Sequence, residues 1–157
     1  CPFDALGSTM ATYGGQNVGA GKIDRLGKGI KAAMLIGAVY SVVALVVLYF
    51  SADYIALLFV DAGETAIIEL TRRFIMASAL FYIPLTGVNV YRFCIQGMGF
   101  SVFAILAGVF EMLARTLVAI LIGFNGACLA NPAAWIAADL FLIPAFIHCC
   151  NKLKRYE

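Results

Sequence analysis

The sequence predicts an all-α membrane protein, a helical bundle of four full transmembrane helices plus a truncated fifth, and three observations carry that expectation. Hydrophobic residues make up 63% of the chain and charged residues only 13%, whereas a soluble domain carries about 25% charged residues. Mean hydropathy is +0.95, and stretches with few or no charges, long enough for a hydrocarbon core about 30 Å thick, recur along the chain. The cations gather between those stretches and form no basic stripe, so the composition excludes nucleic acid as a partner and points to the lipid bilayer.

Residues 1–20 read as the end of a truncated helix followed by a glycine turn. Phe3, Ala5, Leu6, Met10, Ala11 and Tyr13 lead into Gly14, Gly15, Gln16, Asn17 and Gly19. No basic segment followed by an apolar run and a cleavage site opens the chain, so the natural N-terminus is expected upstream. The first span, 32–50, contains no charge. The second, 74–91, is also uncharged but carries Pro84 and Gly87, which predicts a kinked span whose freed backbone groups are satisfied by neighbours. Between these two, Ser51 to Arg73 mixes Asp53, Asp61, Glu64 and Glu69 with apolar residues, a pattern that suits a short helix lying in the interface.

The third span, 102–122, is interrupted by Glu111 and Arg115, and the fourth, 132–150, by Asp139 and Pro144. Asn131-Pro132 supplies a cap residue and a proline at the first helical position. That places Gly123–Gly126 in a loop and makes spans three and four antiparallel neighbours. Residues 151–157 form the tail. Counted by side, Lys22, Arg25, Lys28, Lys31, Arg92, Lys152, Lys154 and Arg155 stand against Arg72 and Arg73, with Arg115 inside a span. The positive-inside rule then assigns the first group, and with it the C-terminus, to the cytoplasm. The acidic loop 51–73 faces outside.

The string Ala11-Thr-Tyr-Gly-Gly-Gln-Asn-Val-Gly-Ala-Gly-Lys22, followed by Asp24-Arg25, resembles the cytoplasmic loop between the second and third helices of a lobe in the multidrug and toxic compound extrusion (MATE) family. Tyr91-Arg92 with Gln96-Gly-Met-Gly99, Glu111-Met-Leu-Ala-Arg115, and Gly126-Ala-Cys-Leu-Ala-Asn-Pro-Ala-Ala-Trp135 extend the resemblance in the family's order. Members have twelve helices in two six-helix lobes, and the resemblance aligns this chain with the end of helix eight through helix twelve. It implies part of the second lobe, with the N-terminal lobe missing along with the acidic residue there that many members use for cation coupling. Some sodium-coupled members also use carboxylates in helices seven and ten, but 74–91, which matches helix ten, holds no Asp or Glu.

Several side chains invite chemistry. The glycine cluster ending in Lys22 fails the phosphate-loop pattern, because Gln16 stands where Gly is needed and Ile23 where Ser or Thr is needed. The competing reading is a tight cytoplasmic turn at Gly14, Gly15, Gln16, Asn17 and Gly19, where glycines permit positive φ and the amides can bond freed carbonyls. Glu111 and Arg115 are four apart with the acid first, the spacing that lets them neutralise each other at depth. Asp139 has Trp135 and Ile143 one turn away and so needs a partner on another helix. Ser78, Tyr82, Thr86 and Asn89 form one polar stripe, which suits either helix packing or a substrate cavity. Trp135 is expected as an outer-interface anchor, and His148 near the cytoplasmic boundary. Cys1, Cys94, Cys128, Cys149 and Cys150 show no paired or zinc-like spacing, and read as free thiols.

The resulting expectation is a secondary antiporter exporting small organic cations or amphipathic drugs in exchange for Na+ or H+, with no catalytic residues, no bound metal and no organic cofactor. It is placed in the membrane, with the bacterial inner membrane as its expected location, and the segment is expected to be inactive alone. The alternative is a lipid-linked saccharide flippase of related two-lobe architecture. An intramembrane enzyme would need a nucleophile with a base, or a metal triad, and the sequence displays neither.

Overall fold

The structure, a computed structural model, describes residues 2–58 and 63–155, with backbone alone over 122–128. The described residues form five helices: α1 Pro2–Gly19, α2 Asp24–Leu57, α3 Thr65–Leu80, α4 Tyr82–Gly97 and α5 Ser101–Leu153. The chain is an all-α membrane protein. Along α2, Leu26, Ile30, Ala33 and Gly37 are buried, one inward stripe at helical spacing. Leu35, Val39, Val43, Val47 and Phe50 are each more than half exposed. So much contiguous apolar surface is tolerable only where lipid covers it.

α1 does not stop at its first glycines. Gly14, Gly15, Gln16, Asn17 and Gly19 are all helical, so the turn expected there is displaced. Gly21, at φ +64°, ends the helix: Lys22 N–H donates to the Asn17 carbonyl at 2.8 Å and Gly21 N–H to that of Val18 at 3.0 Å. This is a Schellman motif, which requires a left-handed residue. The same geometry closes α4, where Gly99 has φ +92°, Phe100 N–H reaches the Ile95 carbonyl and Gly99 N–H that of Gln96. Gly14 and Gly15 serve helix packing instead. A Cβ on Gly14 would lie 2.9 Å from the Cys94 carbonyl oxygen, and one on Gly97 would collide with the Ala11 backbone, so α1 and α4 touch through small residues as membrane helices commonly do.

α3 and α4 form one broken span, bent by 51°. The break falls at Phe81, three residues before Pro84, because Pro84 has no N–H to give to the Leu80 carbonyl. Among the described residues of 51–73 there is no separate interfacial helix: residues 51–57 continue α2 and 65–73 begin α3. α4 is the centre of the bundle and contacts all four other helices. Its residues Thr86 to Val90 are consecutively buried.

Helical backbone continues through all 53 residues of α5, which would reach about 80 Å if straight. It folds back on itself. The Phe110 and Phe141 rings are 4.9 Å apart, and Phe103 and His148 are 6.2 Å apart, so seven residues forward along one arm match seven back along the other. Arms Ser101–Leu121 and Leu129–Leu153 are therefore antiparallel neighbours. The reversal lies where Gly123–Gly126 had been expected to form a loop, but its backbone stays helical. Pro132 sits inside the helix, so Asn131 caps nothing. Trp135 is partly buried and packs against the core.

Substituting Gly97→Ala should destabilise the bundle by about 1–3 kcal/mol, since α1 must move off α4. Gly27, with nothing within 4 Å of a built Cβ, is the control: Gly27→Ala should be neutral or gain up to about 1 kcal/mol of helix propensity. Thermal unfolding of the purified full-length protein in detergent checks both.

Candidate functional site: a charge cluster inside the bundle

The charges buried among apolar helices converge where α4 meets the α5 hairpin. Arg92 was expected in a cytoplasmic loop, but α4 runs on to Gly97 and carries Arg92 within the bundle. Its Nη1 donates to Glu111 Oε1 at 3.2 Å, and its Nε to the Ala104 carbonyl at 3.3 Å. A Cβ on Gly108 would lie 2.6 Å from its Nη2. Residues 104, 108 and 111 share one helix face, and the glycine at its centre leaves the trough in which the guanidinium lies. The two side chains are 28% and 16% exposed.

Glu111 is therefore paired with Arg92, and the same-helix pair with Arg115 does not form. Arg115 points outward, exposed, and makes no ion pair among the described residues. The i,i+4 spacing was visible in the sequence, but both side chains can satisfy it only if neither finds a better partner. Across the bundle Arg92 offers Glu111 a planar donor fork in a less solvated place.

Asp139 lies on the second arm of the hairpin. Since Phe110 is level with Phe141, Glu111 is level with residues close to Asp139, and the two carboxylates are near enough to repel. Asp139 rests on α4 at Gly87, where a built Cβ would be 2.6 Å from Oδ2 and 2.7 Å from Oδ1. Tyr91, one turn further along α4, is the other group within its electrostatic reach. Oδ1 is fully enclosed and has no hydrogen-bond partner among the described residues. Glu111 stands ten residues into its arm, about 15 Å from the helix start, which is mid-depth in a bilayer. A cavity of about 300 Å³ lined by Arg92, Gln96, Ser101, Ala104 and Ile105 leads from the start of this arm to the guanidinium.

The polar stripe behaves differently. The break at Phe81 separates Ser78 on α3 from Tyr82, Thr86 and Asn89 on α4. Thr86 is 1% exposed and packs against Gly37 of α2, its hydroxyl donating to the Tyr82 carbonyl; Asn89 is 9% exposed and donates to that of Leu85. Tyr82 stacks edge-on against Phe3 at 5.4 Å. Ser78 Oγ is enclosed without a partner. Within this chain Thr86 and Asn89 are buried between helices. Asn17, in the displaced turn, donates to the Tyr13 carbonyl, and the Tyr13 hydroxyl to that of Arg25, which fastens α1 to the start of α2.

The basic groups collect at one end of the bundle. Lys154 pairs with Asp24, joining the end of α5 to the start of α2, and Lys152 lies 5.7 Å above the Phe100 ring. At the other end Arg72 pairs with Asp53 and Arg73 with Glu69. Cys94, Cys149 and Cys150 are free thiols, while Cys1 and the Cys128 side chain lie outside the described residues.

An apolar helical bundle with a broken span and charges held at mid-depth defines a membrane transporter. The MatE family model matches residues 2–123, and the chain belongs to that family of transporters. No curated protein and no solved structure matches it. The family match ends at the reversal in α5, so it covers Arg92 and Glu111, whereas Asp139 lies beyond it.

Removing one member of the buried pair strands the other. Arg92→Met or Glu111→Gln alone should each destabilise the protein by about 3–5 kcal/mol, and the double variant should cost less than either. Combining Glu111→Gln with Arg115→Met should be additive instead. Thermal unfolding across both cycles distinguishes the two pairings.

Proposed function

We propose that this chain is part of a secondary antiporter that exports small organic cations or amphipathic compounds in exchange for an inward flow of H+ or Na+. The observation that carries the reading is the Arg92–Glu111–Asp139 cluster at mid-depth between α4 and the α5 hairpin. Ionisable groups at that depth cost several kcal/mol unless paired, and they mark ion and substrate pathways in transporters. The cluster holds two acids and one base, so its formal balance is acidic, which favours cations. In this reading the bundle is one lobe and rocks against a second around a midplane cavity. Ser78 and Tyr82, which are only partly buried, are the stripe residues available to the second lobe.

The same balance disfavours the flippase alternative. A pyrophosphate head would want several unneutralised cations lining a cavity, but Glu111 neutralises Arg92, which leaves only Arg115 as an unpaired cation at depth among the described residues. The shared basic end of α2 and α5 is assigned to the cytoplasm by the positive-inside rule, in a bacterial inner membrane.

Cells producing the full-length protein should accumulate less ethidium than cells lacking it, and an uncoupler together with removal of the sodium gradient should abolish the difference. Unchanged accumulation of cationic and amphipathic dyes would contradict the antiporter. For sidedness, Cys149 is too buried to report, so exposed positions serve better. A membrane-impermeant maleimide on intact cells should label Glu64→Cys and spare Asn151→Cys, and the reverse pattern would invert the topology.

A further inference from the structure

We infer that Asp139 is the carboxylate through which this lobe takes up and releases a transported proton; this rests on the antiporter reading. Four observations meet there. Asp139 Oδ1 is enclosed with no hydrogen-bond partner among the described residues, so a charge on it is left without a donor. Glu111, on the facing arm, is already committed to Arg92 at 3.2 Å, so the guanidinium is not free to pair with Asp139 instead. The cavity of about 300 Å³ has Arg92, the partner of Glu111, in its wall together with Gln96 and Ser101, so solvent comes as far as the pair that stands beside Asp139. Finally, Gly87 leaves the Asp139 carboxylate in direct contact with the centre of α4, the helix that touches every other element.

The groups that face Asp139 define how it responds. From α4 they are Tyr91 and, beyond it, Arg92; from the first arm of α5, Glu111. α3 also packs on α5, but its charges Glu69, Arg72 and Arg73 are engaged with one another and with Asp53. The step is proton transfer alone. A proton arriving as hydronium adds to a carboxylate oxygen of Asp139 and leaves water behind, the anion becomes a neutral acid, and the proton later leaves to water on the opposite face. A neutral Asp139 can also donate through Oδ1, which the anion cannot.

This chemistry separates proton from sodium. A hard cation wants several oxygen ligands. Around Asp139 the other acid, Glu111, is taken by Arg92, and the guanidinium opposes a second cation. A proton needs only the one oxygen. The small residues Gly87 and Gly108 then have a shared purpose, since each removes a side chain at the point where a charged group must fit.

The test uses the purified full-length protein in liposomes, with ethidium as substrate and either a pH or a sodium gradient as the driving force. A pH gradient alone should move ethidium, and Asp139→Asn should lose that movement while Asp139→Glu keeps part of it. Infrared difference spectra on changing pH should show a protonated-carboxyl band that is absent in Asp139→Asn and returns, shifted, in Asp139→Glu. Movement driven by sodium but not by pH would overturn the proton assignment and leave the antiporter standing. Asp139→Asn retaining pH-driven movement, or the band persisting in that variant, would overturn the assignment of the residue. If neither gradient moves ethidium in the parent, the antiporter reading fails, and the infrared band still decides whether Asp139 takes the proton.

Discussion

A guanidinium and a carboxylate inside a lipid-embedded bundle must neutralise each other, and the Arg92–Glu111 pair is the constraint around which this chain is arranged. Either group alone would have to draw water into the bundle or lose its charge. Paired, they fix the rotation of α4 against the first arm of α5, because the fork on Arg92 reaches Glu111 and the Ala104 carbonyl together. That rotation presents Gly87 and Tyr91 to the second arm. Asp139 then has a place to sit but no donor for one of its oxygens.

Packing follows from the same need for close approach. Lipid gives helices little hydrophobic reason to associate, so contact area must come from fit. α1 lies on α4 through Gly14, Gly15 and Gly97, α2 meets α4 where Gly37 receives Thr86, and the hairpin meets α4 at Gly87 and Gly108. Buried hydroxyls and amides are satisfied within their own helices, as with Ser41 donating to the Gly37 carbonyl. Polar side chains in the interfaces are therefore spacers more than bridges. What remains unsatisfied among the described residues, the Ser78 hydroxyl and Asp139 Oδ1, stands out for that reason.

The helical class was legible because composition and run length alone decide it, and α2 was the plainest case. Local endings were harder. Several glycines in a row suggested a turn at Gly14–Gly19, but glycine is tolerated in a helix when a neighbouring backbone fills the space, and only the backbone bonds at Gly21 show where the chain turns. Pro84 announced a kink, although the break lies one turn earlier, where the carbonyl loses its donor. The charged site was half legible. Glu111 and Asp139 announced themselves as acids inside apolar runs, but the partner of Glu111 is nineteen residues away in sequence, and helical spacing favoured Arg115. A clue was present in Gly99, since a glycine suited to end a helix stood beyond Arg92 and implied that α4 continued past it. The role given to Thr86 and Asn89 could not be chosen from a stripe alone, because packing faces and cavity walls share the same period.

Everything said of the site depends on the register of the α5 hairpin, which sets Glu111 beside Asp139. Disulfide formation in a cysteine-depleted full-length protein in membranes tests it directly. Phe110→Cys paired with Phe141→Cys should cross-link readily under mild oxidation, since the native rings are 4.9 Å apart, and Phe110→Cys with His148→Cys, offset by about 10 Å along the arm, should not. Cross-linking of the offset pair in preference to the level pair would contradict the register and remove the basis for a site shared by the two carboxylates.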